Sequence, residues 1–251
     1  MIKVRKELTQ VPVSLNTQKT REKRCHLVAN EAYLKRFDKT YKTEDIKNQL
    51  LKIYHDKCCY CEQDVSDQFF PVEHYRPKSK YYWLAFSWDN LLLCCSLCNC
   101  YKSDHFEIKG CNVDCNEDDF AHIHQLAEQY NKTEQPMMIH PELEDVGAKL
   151  TFDQHGKVSS LDERVQYTID ICKIDRPRAN NRRKKLLDNL LNDYQERLHR
   201  YQLTLEKKYL DDMKHIIRAF QCAAENDTSE YSAFRRYVVD HLDALLRSNG
   251  I

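Results

Sequence analysis

The sequence holds 251 residues, 41% of them hydrophobic and 31% charged, and its 39 Lys and Arg are balanced by 39 Asp and Glu. Such a composition fits one soluble, mainly helical protein with a real core, and a formal net charge of zero excludes a globally basic nucleic-acid binder. Only four glycines occur, Gly110, Gly147, Gly156 and Gly250, which build neither a Walker A loop nor a dinucleotide-binding fingerprint.

Charge is uneven along the chain. Residues 1–57 carry 14 basic and 7 acidic side chains, residues 58–110 sum to −2, residues 111–175 to −9 and residues 176–251 to +4. The basic front suggests a polyanion, and the acidic middle, with Glu142, Glu144 and Asp145, suggests a face for a basic partner surface.

In chain order, residues 1–24 read as extended and charged. Helices are expected over 25–37 and over 43–55, the second with Ile46, Leu50, Ile53 and Tyr54 on one face. Short strands are expected near 69–74 and 90–94, and a hairpin over 149–160 with its turn at Gly156. Residues 179–225 contain neither glycine nor proline, and Leu187, Leu191, Tyr194, Leu198, Tyr201 and Leu205 alternate in steps of four and three. That rhythm predicts one very long helix or two packed as a hairpin, its seam either buried against residues 25–55 or exposed. A last helix is expected over 229–246. Arg176, Arg178, Arg182, Arg183, Lys184 and Lys185 crowd the start of the long helical stretch, where cations are disfavoured, which marks a candidate phosphate contact. No apolar run approaches the roughly 18 residues of a membrane span. The expected location is cytoplasmic, with no membrane partner.

Twelve cysteines in a reducing compartment more often hold metal than form disulfides. Seven lie between Cys58 and Cys100. Cys58-Cys59-Tyr60-Cys61 and Cys95-Ser96-Leu97-Cys98 each contain a C-x2-C pair, 33 residues apart. Two such turns complete a tetrahedral, closed site of Cys58, Cys61, Cys95 and Cys98 for a structural zinc. Cys59, Cys94 and Cys100 offer other registers. Cys111 with Cys115, and His122 with His124, read as packing or solvated residues.

Around the pairs lie Glu73-His74 after a strand-like run, Trp88-Asp89-Asn90-Leu91, and Cys98-Asn99-x-x-Lys102. These elements, in order across about 45 residues, closely resemble the zinc-supported HNH endonuclease family, with the pattern C-x2-C…(D/E)-H…N-L…C-x2-C-N-x2-K. The resemblance implies a ββα-metal, treble-clef-like module: a small α+β core in a mainly α chain, flanked by helical regions. It implies His74 as general base, Asn90 as the residue that pins the loop between the strands, and Glu73 with Asn99 as ligands of a catalytic Mg2+ or Mn2+. Lys102, one turn beyond Asn99, is expected to reach phosphate. Glu73 stands where many members have aspartate, and Asn99 where many have histidine. The organisation expected is a basic tail with helices over 1–56, the nuclease core over 57–115, an acidic connecting region over 116–175 and a helical region over 176–251.

Glu73-His74-Tyr75-Arg76-Pro77-Lys78, Ile139-His140-Pro141, the hairpin and the helix of Tyr167-Thr168-Ile169 extend the likeness to HNH effectors of retron and Septu-type anti-phage systems. That likeness implies cleavage of nucleic acid, most simply DNA, and a complex with an ABC-type, PtuA-like ATPase, in retrons together with a reverse transcriptase and its msDNA. The alternatives are a non-catalytic zinc module that binds nucleic acid or scaffolds proteins, and a nuclease of the same kind acting on RNA or tRNA.

Overall fold

The structure, a computed structural model, describes residues 3–67 and 69–251. Helices dominate. In chain order they are α1 (Gln18–Ala29), α2 (Glu44–Tyr54), α3 (Ser96–Lys102), α4 (Ala127–Glu134), α5 (Glu163–Ile171), α6 (Pro177–Thr204), α7 (Lys207–Glu225), α8 (Ser232–Asp240) and α9 (Leu242–Ser248). Among the described residues two small antiparallel sheets join them: β1 (Val72–His74) with β2 (Leu91–Leu93), and β3 (Thr151–Phe152) with β4 (Val158–Ser159). The expectation of a mainly helical chain with a small strand-containing core therefore holds.

The first helix starts earlier than the sequence suggests. Thr17 caps α1 by accepting from the Thr20 amide at 3.1 Å, and the helix stops at Ala29, leaving Phe37 to a 3-10 turn over Lys35–Tyr41. Helix α2 buries Ile46, Leu50 and Tyr54 along one face, as its spacing requires. One apolar core runs from Leu15 through α2, both cysteine pairs, β1 and β2 to Ile169 and Ala233.

The long helical stretch is two helices. Leu205 takes a left-handed conformation at φ 56° and ends α6, and α7 returns antiparallel along it. The apolar seam is not buried against residues 25–55. Leu187, Leu190 and Leu191 instead meet Ile216 and Phe220 of α7 and Tyr231, Phe234 and Val238 around α8, a second core of their own. Beyond Leu191 no residue of α6 is fully buried, and the tip of the hairpin presents Leu203 and Leu205 at 72% and 74% exposure.

Two charge expectations are corrected. The acidic segment spends key carboxylates internally. Glu134 pairs with Arg76 at 2.7 Å, and Glu142 with Lys6 at 2.7 Å, all four side chains buried. Glu144 holds Arg164 at 2.6 Å. These side chains bind the chain to itself, because desolvated charges need partners at contact distance. The basic cluster likewise disperses. Arg183 is buried and donates to the Gly156 carbonyl at 2.6 Å, Lys184 holds Asp188, and Arg176 turns inward.

Gly156 shows why the turn of the hairpin needs glycine. Its φ is +74°, and a Cβ there would lie 2.4 Å from the Asn180 carbonyl oxygen at the start of α6.

Candidate active site and metal centre

Each cysteine pair sits on a tight turn. After Cys58, the Cys58 amide donates to Gln63 O at 2.9 Å and the Glu62 amide to Cys58 O at 3.0 Å, folding the chain back on itself. The Cys59 amide donates to Leu93 O at 2.8 Å and so docks this knuckle on β2. The second pair opens α3, whose N-cap is Cys95: its sulfur accepts from the Cys98 amide at 3.4 Å.

The sulfurs of Cys58, Cys61, Cys95 and Cys98 all lie within 4.8 Å of one another, and all four residues are buried. Cys61 and Cys95 are 3.8 Å apart, which is the edge of a tetrahedron with metal–sulfur bonds of about 2.3 Å. The cluster can hold a metal such as zinc. Cys59 and Cys94 are buried beside it and form a second group with Cys58. Cys100 is exposed, and neither Cys111 with Cys115 nor His122 with His124 joins a metal-capable group among the described residues. His124 has a different use: its Nδ1 accepts from the Trp88 amide at 3.0 Å.

Strand β1 pairs Val72 with Leu93, Glu73 with Leu92 and His74 with Leu91. Glu73 and His74 line one open cleft of about 420 Å³, together with Asn99 of α3 and a wall of Asp38, Tyr41, Lys42 and Lys78. His74 lies edge-on to Tyr41, ring centres 4.5 Å apart, and its Nε2 meets the Ala85 carbonyl oxygen at 3.0 Å. A carbonyl only accepts, so Nε2 carries the proton and Nδ1 keeps the lone pair. Burial first, then Lys78, lowers the His74 pKa to about 3, so the ring is neutral at pH 7.

Asn90 fixes the loop that presents Ala85. Its Oδ1 accepts from the Arg76 amide at 2.7 Å, and its Nδ2 donates to the carbonyls of Arg76 and Leu84 at 3.1 and 3.3 Å. Lys6 braces the same loop from behind, donating to the Trp88 and Leu91 carbonyls at 3.0 and 2.6 Å. Asp89 accepts from the Ala127 amide at 2.7 Å, and its burial raises its pKa to about 6.

Lys102 corrects the sequence. It is fully buried and does not reach a phosphate: its Nζ pairs with Glu73 Oε1 at 2.7 Å and donates to His74 O at 2.8 Å. The helical spacing from Asn99 gave its direction, but β1 closes over it. Asn99 Nδ2 donates to Glu73 Oε2. The carboxylate and amide thus meet at the cleft; with the Asn99 amide turned, its Oδ1 and the Glu73 carboxylate are two oxygen donors of the kind a hard divalent ion takes.

Several cleft residues escape sequence reasoning. Lys78 stands four residues past His74, inside the phrase that carries the resemblance, so a signal existed. It lies 5.1 and 5.5 Å from the ring centres of Tyr33 and Tyr41. Asp38 and Tyr41 come from the 3-10 segment, with Lys42 at its C-cap, and carry no local motif.

The chain is similar to three known proteins. It is 39% identical over 85 residues to Septu protein PtuB of Bacillus mycoides (strain KBAB4), spanning 28% of this chain and 29% of that protein. It is 42% identical over 62 residues to Septu protein PtuB of Bacillus thuringiensis, 24% of each chain. It is 24% identical over 191 residues to Septu protein PtuA of Bacillus mycoides (strain KBAB4), 70% of this chain and 23% of that protein. The chain thus spans less than a third of the length of each curated relative it matches. No family profile and no solved structure matches. These likenesses support a relationship to Septu-type defence proteins.

Proposed function

We propose that the chain is a metal-dependent HNH endonuclease that hydrolyses phosphodiester bonds of nucleic acid, DNA first, as the effector of a Septu-type anti-phage system gated by a PtuA-like ATPase. The observation that carries the reading is a single cleft in which His74 shows a fixed tautomer beside the Glu73–Asn99 contact.

With Nε2–H spent on the Ala85 carbonyl, Nδ1 is the atom that takes the proton from an attacking water. Tyr41 and the Asn90-pinned loop hold the ring so that its lone pair keeps one direction. Lys78 and Lys42 on the cleft wall attract the phosphate diester. Mg2+ or Mn2+, held by Glu73 and Asn99, would supply charge neutralisation at the scissile phosphate and the leaving 3′ oxygen. Lys102 acts from below, orienting the Glu73 carboxylate. Zinc in the four-cysteine cluster would join the first knuckle to α3 and so set the distance between β1 and Asn99.

The Septu names of the relatives support a partner from the same kind of system and favour the Septu arrangement over the retron one with its reverse transcriptase and msDNA. No described helix is long and apolar enough to cross a membrane.

The test is incubation of purified protein with plasmid and Mg2+, next to His74→Ala. The parent nicks or cuts and the variant does not; equal cleavage by both refutes the general base, and none by either, with the ATPase present, refutes the nuclease. Co-expression with a PtuA-like ATPase followed by size exclusion yields one complex, and separate migration with and without nucleotide refutes the partner.

A further inference from the structure

The first turn of α6 is electrostatically odd. It has no acidic residue, and Arg176 occupies the N-cap with Pro177 behind it, where the positive end of the helix repels a cation. A buried guanidinium in that position needs a strong anion close by.

Sulfur supplies it. Arg176 is 7% exposed and points into the cysteine cluster from a position 78 residues beyond Cys98. Its Nη1 donates to Cys98 Sγ at 3.4 Å, and its Nη2 to Cys61 Sγ at 3.2 Å and Cys95 Sγ at 3.8 Å. Nη1 also donates to the Lys173 carbonyl at 3.1 Å, which fixes the plane of the fork. Four thiolates around a divalent ion leave a net charge of −2. With the four cysteines buried, water screens that charge poorly, so a fixed cation has a large effect. The planar guanidinium serves several acceptors at once, as a lysine ammonium at the same place does not.

We propose that Arg176 is the counter-charge and hydrogen-bond donor of the four-cysteine centre, strengthening its hold on metal and clamping the start of α6 to both cysteine turns. The proposal rests on the cluster holding a metal. Outer-shell partners of this kind change metal affinity by about 10- to 100-fold.

The experiment uses full-length protein, analysed first for bound metal and then titrated with a zinc chelator. Arg176→Met should hold zinc about 10- to 100-fold less tightly, and Arg176→Lys should recover part of that loss. In the cobalt-substituted protein, loss of the N–H···S bonds raises the sulfur lone pairs, so the sulfur-to-cobalt charge-transfer band of Arg176→Met moves to longer wavelength. A merely structural contact leaves that band in place. Should Arg176→Met fail to fold, Arg176→Gln and Arg176→Lys carry the same two measurements at saturating metal. Metal in the parent with unchanged affinity and band in the variants overturns the role of Arg176 alone. A folded parent without metal overturns the reading of the cluster itself.

Discussion

Replacing Glu73 should damage the fold as well as the site. The Lys102 side chain is 0% exposed and the Glu73 side chain 3%, and their charged atoms are 2.7 Å apart. Removing the carboxylate leaves a buried ammonium with the His74 carbonyl as its remaining acceptor. Breaking a buried ion pair from one side costs about 3–5 kcal/mol. A domain of this size loses about 2–4 °C in Tm per kcal/mol, so Glu73→Ala should melt roughly 6–20 °C lower. The double variant Glu73→Gln, Lys102→Met removes both charges at nearly constant volume and should regain most of the loss. Urea unfolding, followed by fluorescence of the buried Trp83 and Trp88 in Mg2+-free buffer with structural metal retained, measures each term. A cost below about 1 kcal/mol for Glu73→Ala, or a double variant weaker than the single, refutes the reasoning. Nuclease assays on Glu73 variants therefore need a stability control.

Because His74 packs against Tyr41, His74→Ala should lower stability by about 1–2 kcal/mol, more than a residue facing only water would, and unchanged urea midpoints would contradict that packing. His140 is fully buried, its Nδ1 accepts from the Glu142 amide, and burial with Arg76 and Lys6 nearby lowers its pKa to about 3. The unfolded chain therefore binds the proton first, and stability present above about pH 6.5 is lost as pH falls toward 3. Between pH 7 and pH 5 the parent should lose about 2 kcal/mol more than His140→Gln, and parallel urea midpoints across that range would refute the assignment. Gly156→Ala should cost at least about 2 kcal/mol through its positive φ and the clash with α6, read as a drop in Tm; an unchanged Tm would show that the hairpin yields.

What was legible in the sequence was local. The C-x2-C pairs declare themselves because two thiols three residues apart share one turn, and α2 because its apolar face repeats within its own length. The missing glycine and proline left one long helix or two equally open over 179–225, and the break falls at Leu205, whose left-handed φ uses neither residue. Depth was not legible. Helical spacing placed Lys102 on the face of Asn99 and said nothing of the strand above it. Long-range partners were also hidden: Lys6 meets Leu91 across 85 residues and Arg176 meets Cys98 across 78. Counting charges by segment put Glu142 on a surface it does not occupy, because a count is blind to which charges are already paired.

The reach of Arg176 also sets an order in time. A ribosome adding about 5–20 residues per second exposes the second cysteine pair within several seconds of the first, but needs roughly a further 4–16 s to add the 78 residues up to the arginine. During that interval the nascent chain has all four thiols and no guanidinium to shield them. The sulfurs then lack the N–H···S contacts that Arg176 makes to three of them in the folded chain, so the order of synthesis puts the thiol cluster ahead of its cation.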